Sequence, residues 1–386
     1  MTAAQCWRGG QGGQGRHGGH GGQGGHGGQG GLSGTEVVWD AGCLLHEPAG
    51  EVWLGVWEAG TEVPERASVI LEALTAAGAV VVASVPHDGT ALLAVHDAAL
   101  LEHLATIWER WVAGGYVEEY GRTRVVPSVF PTAGLLAGLP LRQPTAVHGQ
   151  VGRFCYDTMT LVGPGSWDAI RAAADCALTA ADLVAGGTSL AYALCRPPGH
   201  HAGPASYGGS CYLNNAALAA SALLRSGADR VAVVDIDAHH GNGTQAVFYD
   251  RPEVYYGSVH VDPGAGWFPH YVGHASERGA GPGSGANRNL PLAPGSRDLG
   301  WLEAVRFLCA EVRERGTDAV VVSLGVDAAA ADPESPLQVS ADGYGRAGEL
   351  IGALGPVVAV QEGGYDLGSL GGLVVSALSG LASGVS

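Results

Sequence analysis

The sequence predicts a three-layer α/β/α domain built on a mostly parallel central sheet. Short valine-rich runs alternate with stretches of helical period from residue 36 onward, and strand–helix alternation of this kind gives a parallel sheet with helices on both faces. The runs at 231–236, 319–324 and 357–361 are apolar without alternation, as strands buried on both faces are. Nothing interrupts the pattern between 36 and 386, so that span reads as a single domain. Residues 1–35 read as a tail: positions 9–31 are nearly all Gly, Gln and His, with almost nothing to bury and no reason to fold.

In order, residues 37–39 read as a short strand and 65–77 as a helix opened by Pro64, since proline suits a first turn. Residues 80–84 read as a strand, and Asp97 is placed to cap a helix reaching Val112. Residues 114–152 form a connection rich in Gly, Pro and aromatics, longer than a compact domain keeps without a use. Ser166 is placed to cap a helix through 184, followed by a strand at 191–195 and a helix at 215–225. Then come the strand at 231–236, a helix near 244–249 and a strand at 254–258, before a second long loop at 261–297. Helix 299–315, strand 319–324, helix 341–354, strand 357–361 and a helix from about 367 complete the chain.

Composition narrows the function. The net charge of −17 disfavours nucleic acid, because phosphate binding needs a basic surface, and favours cationic molecules. No apolar run approaches the ~18 residues of a membrane span, and the first residues lack a secretory pattern, so a cytoplasmic protein is expected. The seven cysteines are scattered and never form CxxC, which argues for reduced thiols and against a cysteine metal site.

Polar clusters follow four of the strands. RVAVVDIDAHHGNGT (230–244) places Asp237 and His239 two apart at a strand end, where a carboxylate and an imidazole can share one divalent metal. RPPGHHAGPASYGGSCYLNN (196–215) carries the pair His200 and His201, suited to acid/base work. SLGVDAAAADPESP (323–336) supplies Asp327 and Asp332, and QEGGYD supplies Tyr365 after two glycines. A metal with an Asp/His/Asp ligand set, a histidine pair and a phenol together describe metal-assisted amide hydrolysis. No GxSxG, P-loop or GxGxxG element accompanies them.

RPPGHHA…GGSCYLNN, DIDAHHGNGT, GVDAAAADP and EGGY resemble the motifs of the histone deacetylase superfamily, with its arginase/deacetylase fold. PERASVILEAL, TMTLVGPGSWDAI and WFPHYVGHASERGAG are similar to its acetylpolyamine amidohydrolase branch. The resemblance implies Zn2+ on Asp237, His239 and Asp332, with Fe2+ also compatible. It implies His201 as general base, His200 beside it as electrostatic or acid partner, and Tyr365 as donor to the carbonyl oxygen. Asp235 would orient His200 and Asn242 would support His201, leaving His201 less basic than a carboxylate would. A structural K+ would involve Asp235, Asp237, His239 and Ser258. Gly209, Ser210, Trp267 and Phe268 would line the acyl tunnel. Ser210 departs from the pattern, which has an aromatic there, and Tyr207 is a candidate to fill the gap. His240 and Asp327 read as supporting residues.

The resemblance also implies a small acetylated amine as substrate and a homodimer through the 114–152 insertion. An acetyl-lysine protein or peptide is the alternative substrate. An arginase-like ureohydrolase would need a second metal and further Asp/His pairs, which the sequence does not show. An inactive metal-binding protein has no need of His200, His201 and Tyr365 together.

Overall fold

The computed structural model describes residues 31–385. The glycine-rich segment expected to be a tail lies, apart from its last residues, outside that span. Of those, Leu32 is already buried and donates its N–H to Ala77 O, so packing begins just ahead of residue 36.

The strands are β1 (Glu36–Trp39), β2 (Glu51–Trp53), β3 (Val56–Glu58), β4 (Val80–Ala83), β5 (Leu190–Ala193), β6 (Val231–Asp235), β7 (Val254–Val261), β8 (Asn287–Leu292), β9 (Ala319–Leu324) and β10 (Val357–Gln361). The helices are α1 (Glu65–Ala76), α2 (Gly89–Leu93), α3 (Ala98–Ala113), α4 (Ala133–Leu136), α5 (Val147–Val151), α6 (Ser166–Ala185), α7 (Asn215–Arg225), α8 (Asn242–Phe248), α9 (Asp298–Arg315), α10 (Ala341–Gly352) and α11 (Leu370–Gly384). Eight strands form one sheet in the order β4-β1-β5-β10-β9-β6-β7-β8, with every neighbouring pair parallel. β2 and β3 form a separate antiparallel hairpin.

The three layers follow from side-chain alternation. Val231 and Val233 of β6, with Val358 and Val360 of β10, pack into a core with α3, α6 and α7. Ala232 and Val234, with Val357 and Ala359, pack into a second core with α1, α9, α10 and α11. Both faces of each central strand are thus dry, and each fully buried valine contributes about 1.5–3 kcal/mol. Among the described residues, no helix is long and apolar enough to cross a membrane.

Several elements differ from the expectation. The hairpin β2–β3, the short helix α2 and the edge strand β8 are additional. Ser166 lies inside α6, behind a Gly165 cap, and its Oγ is engaged with Gly163 N and His46 Nδ1, both at 2.9 Å. Asp97 holds the cap position of α3 without a side-chain bond. The 114–152 insertion contains two short helices, α4 and α5.

Candidate active site

The four polar clusters belong to β5, β10, β9 and β6, which are consecutive in the sheet. Parallel strands all end on the same edge, so the loops after them converge, and the crevice beyond carboxyl ends is where such sheets bind ligands. The cavity there measures about 400 Å³ and is lined by His201, Gly209, Ser210, His239, Trp267, Phe268 and Tyr365 from the expected set.

His200 and His201 lie side by side with ring centroids 4.1 Å apart, yet their environments are opposite. Burial alone would lower His200, but the carboxylates of Asp237 and Asp235 raise it to about 10. Its Nδ1 donates to Asp235 Oδ2 at 3.1 Å. Burial, together with His200 and His239, holds His201 well below the usual histidine range. Its Nδ1 meets Asn242 Oδ1 at 2.7 Å. The surroundings thus favour a proton on one ring and disfavour it on its neighbour, a separation suited to acid/base chemistry.

Asp237 is buried, receiving His239 N on Oδ1 and Gly363 N on Oδ2, both at 2.8 Å. His239 Nδ1 lies 3.3 Å from Asp237 Oδ1 and 2.9 Å from Asp327 Oδ2. Asp237, His239 and Asp327 bring one donor atom each within 4.8 Å of one another. Asp327, expected only to support the loop, thus reaches the ligand group while its Oδ1 accepts Ala238 N at 2.7 Å. Asp332 stands outside that triple. It accepts the Tyr365, Glu334 and Asp366 amides at 2.7, 3.0 and 3.4 Å, with no side-chain donor among the described residues.

This donor set fits a divalent cation. The carboxylates of Asp237, Asp327 and Asp332 are all buried, the first two against His239, and buried charges need a partner. Burial and then Asp327 push Asp332 up to about 8, a cost that a dication beside it removes. Asp235 and Ser258, two of the residues expected at a monovalent site, sit opposite each other on β6 and β7. Ser258 donates to His260 Nδ1 at 2.7 Å, because His260 Nε2 is committed to Gly273 O; the lone pairs of the hydroxyl oxygen remain available to a cation.

Phe268 stands edge-on to His201 at 4.8 Å, while Trp267 is anchored by Glu334 O at 3.2 Å. Tyr207 does not fill the gap at Ser210: it is fully buried and stacks on Tyr212. Met159 is among the residues that line the cavity. Gly209 is required here, since its φ is +57° and a Cβ would stand 2.5 Å from the His201 ring.

Sequence reasoning missed other residues. Glu362 Oε2 accepts the Gly199 and His200 amides at 2.6 and 3.1 Å, fixing the histidine loop. Arg66 bonds Gly364 O and Glu362 O at 2.6 and 2.7 Å and lies over the Tyr365 ring. Glu51, Trp53 and Leu54 of the hairpin region, with Glu334, reach the cavity. Burial, then Glu334, Asp157 and Glu58, push Glu51 up to about 7.

Fold and site together define an amidohydrolase of the arginase/deacetylase fold. The sequence pattern of the histone deacetylase domain matches residues 60–381, and the chain belongs to that family. It is 42% identical over 323 residues to the acetylpolyamine amidohydrolase of Mycoplana ramosa, covering 83% of this chain and 92% of that protein. It is 40% identical over 338 residues to acetylpolyamine amidohydrolase 1 of Pseudomonas aeruginosa, covering 87% and 95%. The crystal structure of acetylpolyamine aminohydrolase from Burkholderia pseudomallei superposes with a TM-score of 0.84 at 39% identity, covering 91% of this chain and 99% of that one.

Proposed function

We propose that the chain is a zinc-dependent deacetylase that hydrolyses the acetamide of small N-acetylated amines, acetylpolyamines foremost, to amine and acetate. The observation that carries this reading is one cavity joining acidic Glu51 and Glu334 to His201, His239 and Tyr365. The names of the relatives in Mycoplana ramosa and Pseudomonas aeruginosa support the same substrate class.

Asp237, His239 and Asp332 would hold the ion, with Asp327 against His239; Fe2+ suits the same N/O donors. Asp235, Asp237, His239 and Ser258 would hold a structural K+. When bound, the dication supplies polarisation of the acyl carbonyl and a more acidic water. His201, held neutral by burial and backed by Asn242, would take a proton from the attacking water and return it to the leaving amine. His200, protonated and held by Asp235, places a fixed positive charge beside the developing negative one. Tyr365 keeps its phenol proton, because burial raises it well above its ordinary range, and so donates to the carbonyl oxygen. Phe268, Trp267, Gly209 and Ser210 bracket the acyl chain, and the carboxyl groups of Glu51 and Glu334 face a distal ammonium.

Val129, Leu135, Leu139 and Leu141 of the insertion expose apolar side chains around a second cavity of about 370 Å³. A contiguous apolar patch of this kind suits a second copy of the chain and supports a homodimer. The six described cysteines are buried and free, which suits the cytoplasm.

The test is acetate release from N-acetylputrescine by the purified chain. Removing metal with a chelator should abolish release, and added Zn2+ should restore it. Unchanged release after verified metal removal would contradict the reading.

A further inference from the structure

Asn242 Oδ1 faces His201 Nδ1, but an amide side chain can turn over, and the reverse orientation would present an NH2 group there. Oδ1 facing Nδ1 demands a proton on Nδ1 and leaves Nε2 as the basic nitrogen; the reverse orientation demands the opposite tautomer. Something must select between them.

Tyr156 provides that selection. Its hydroxyl donates to His201 O at 3.0 Å and receives Asn242 Nδ2 at 3.3 Å. Burial and then Asp157 hold the phenol well above its ordinary range, so the proton stays on the oxygen. With its only proton given to His201 O, the hydroxyl offers Asn242 lone pairs alone, and only an N–H can answer. Asn242 Nδ2 also lies 3.5 Å from His201 O. Turning the amide over would set its oxygen against those two oxygens.

The position of Tyr156 is built in. Tyr156 N donates to Tyr207 O at 3.1 Å and Tyr207 N to Phe154 O at 2.8 Å, pairing this segment with the loop that follows the histidines. A Cβ at Gly208 would stand 2.4 Å from the Tyr156 ring, so the glycine makes room for it. The ring stacks on Phe268 with centroids 6.3 Å apart.

We propose that Tyr156 is a positioning residue: through Asn242 it fixes His201 as the Nδ1–H tautomer, with Nε2 free to take a proton. This rests on His201 being the base of the proposed hydrolysis. It goes beyond that reading by naming the group that decides which nitrogen is basic.

The test combines NMR with kinetics. In zinc-loaded, 15N-histidine-labelled enzyme at neutral pH, His201 should be the Nδ1–H tautomer, its signals assigned by their loss in His201→Ala. Tyr156→Phe, which keeps the ring, should introduce the Nε2–H form. It should also lower kcat about tenfold at unchanged KM, the effect of one neutral hydrogen bond. An Asn242→Asp background presents an acceptor to Nδ1 whichever way it turns, so there Tyr156→Phe should introduce no Nε2–H form. An Nε2–H tautomer in the wild type, or a Tyr156→Phe enzyme that keeps the Nδ1–H form alone, would overturn the proposal. If no acetylated amine is hydrolysed, the hydrolysis reading fails, while the tautomer measurement still decides the role of Tyr156.

Discussion

The floor of the cavity and its rim are built on different physics. The floor consists of strand ends in the middle of the sheet, and its polar groups are buried and held by main-chain amides: Asp237 by His239 N and Gly363 N, Asp332 by Tyr365 N, Glu362 by Gly199 N and His200 N. The rim includes the β2–β3 hairpin and its turn, where Leu54 is 78% exposed. The difference teaches where chemistry and selectivity reside. A floor locked by its own backbone serves any acetamide, whereas a loosely held rim chooses which one enters.

The largest effect should come from the floor. Tyr365→Phe should lower kcat by about 10²–10³, as loss of an oxyanion donor does, with bound zinc unchanged by metal analysis. Full activity in that variant would remove the phenol from the mechanism. Next, Asp332→Asn should weaken zinc by at least about 100-fold in a chelator competition, and Asp327→Asn by less, as a supporting residue does. The reverse ranking would make Asp327 the third ligand in place of Asp332.

Rim effects should be smaller and tied to the substrate. Glu51→Gln should raise KM for an acetylated diamine about tenfold, one charge-assisted contact, without changing KM for an uncharged acetamide. Because the Glu51 carboxyl is raised to about 7, it is protonated below that pH and charged above it. KM for the diamine should therefore fall as pH rises through 7, a dependence absent in Glu51→Gln. The smallest effect on the folded chain is expected at Leu139→Asp. This exposed change should leave the melting temperature nearly unaltered, within about 0.5 kcal/mol of stability, while sedimentation shows dimer becoming monomer.

The same division sets what the sequence revealed. β6, β9 and β10 were legible because strands dry on both faces read as unbroken apolar runs. β8 was hidden by Pro291, which an edge strand tolerates because it pairs on one side only. The hairpin β2–β3 was hidden by its length, three residues per strand, although it carries Glu51 to the cavity. In the site, residues inside short motifs could be read directly. Asp327 could not be placed, because its contact with His239 joins positions 88 residues apart. Tyr156 left only an indirect trace, the adjacent glycines 208 and 209 that make room for its ring and for His201.

The central claim, that this floor and rim together serve small acetylated amines, is tested most directly by kcat/KM. Zinc-loaded enzyme would be given N-acetylputrescine and N-acetylspermidine beside an acetyl-lysine peptide. The account predicts clear preference for the acetylated polyamines. Preference for the peptide would contradict it, and would mean that Ser210 opens the tunnel to acetyl-lysine.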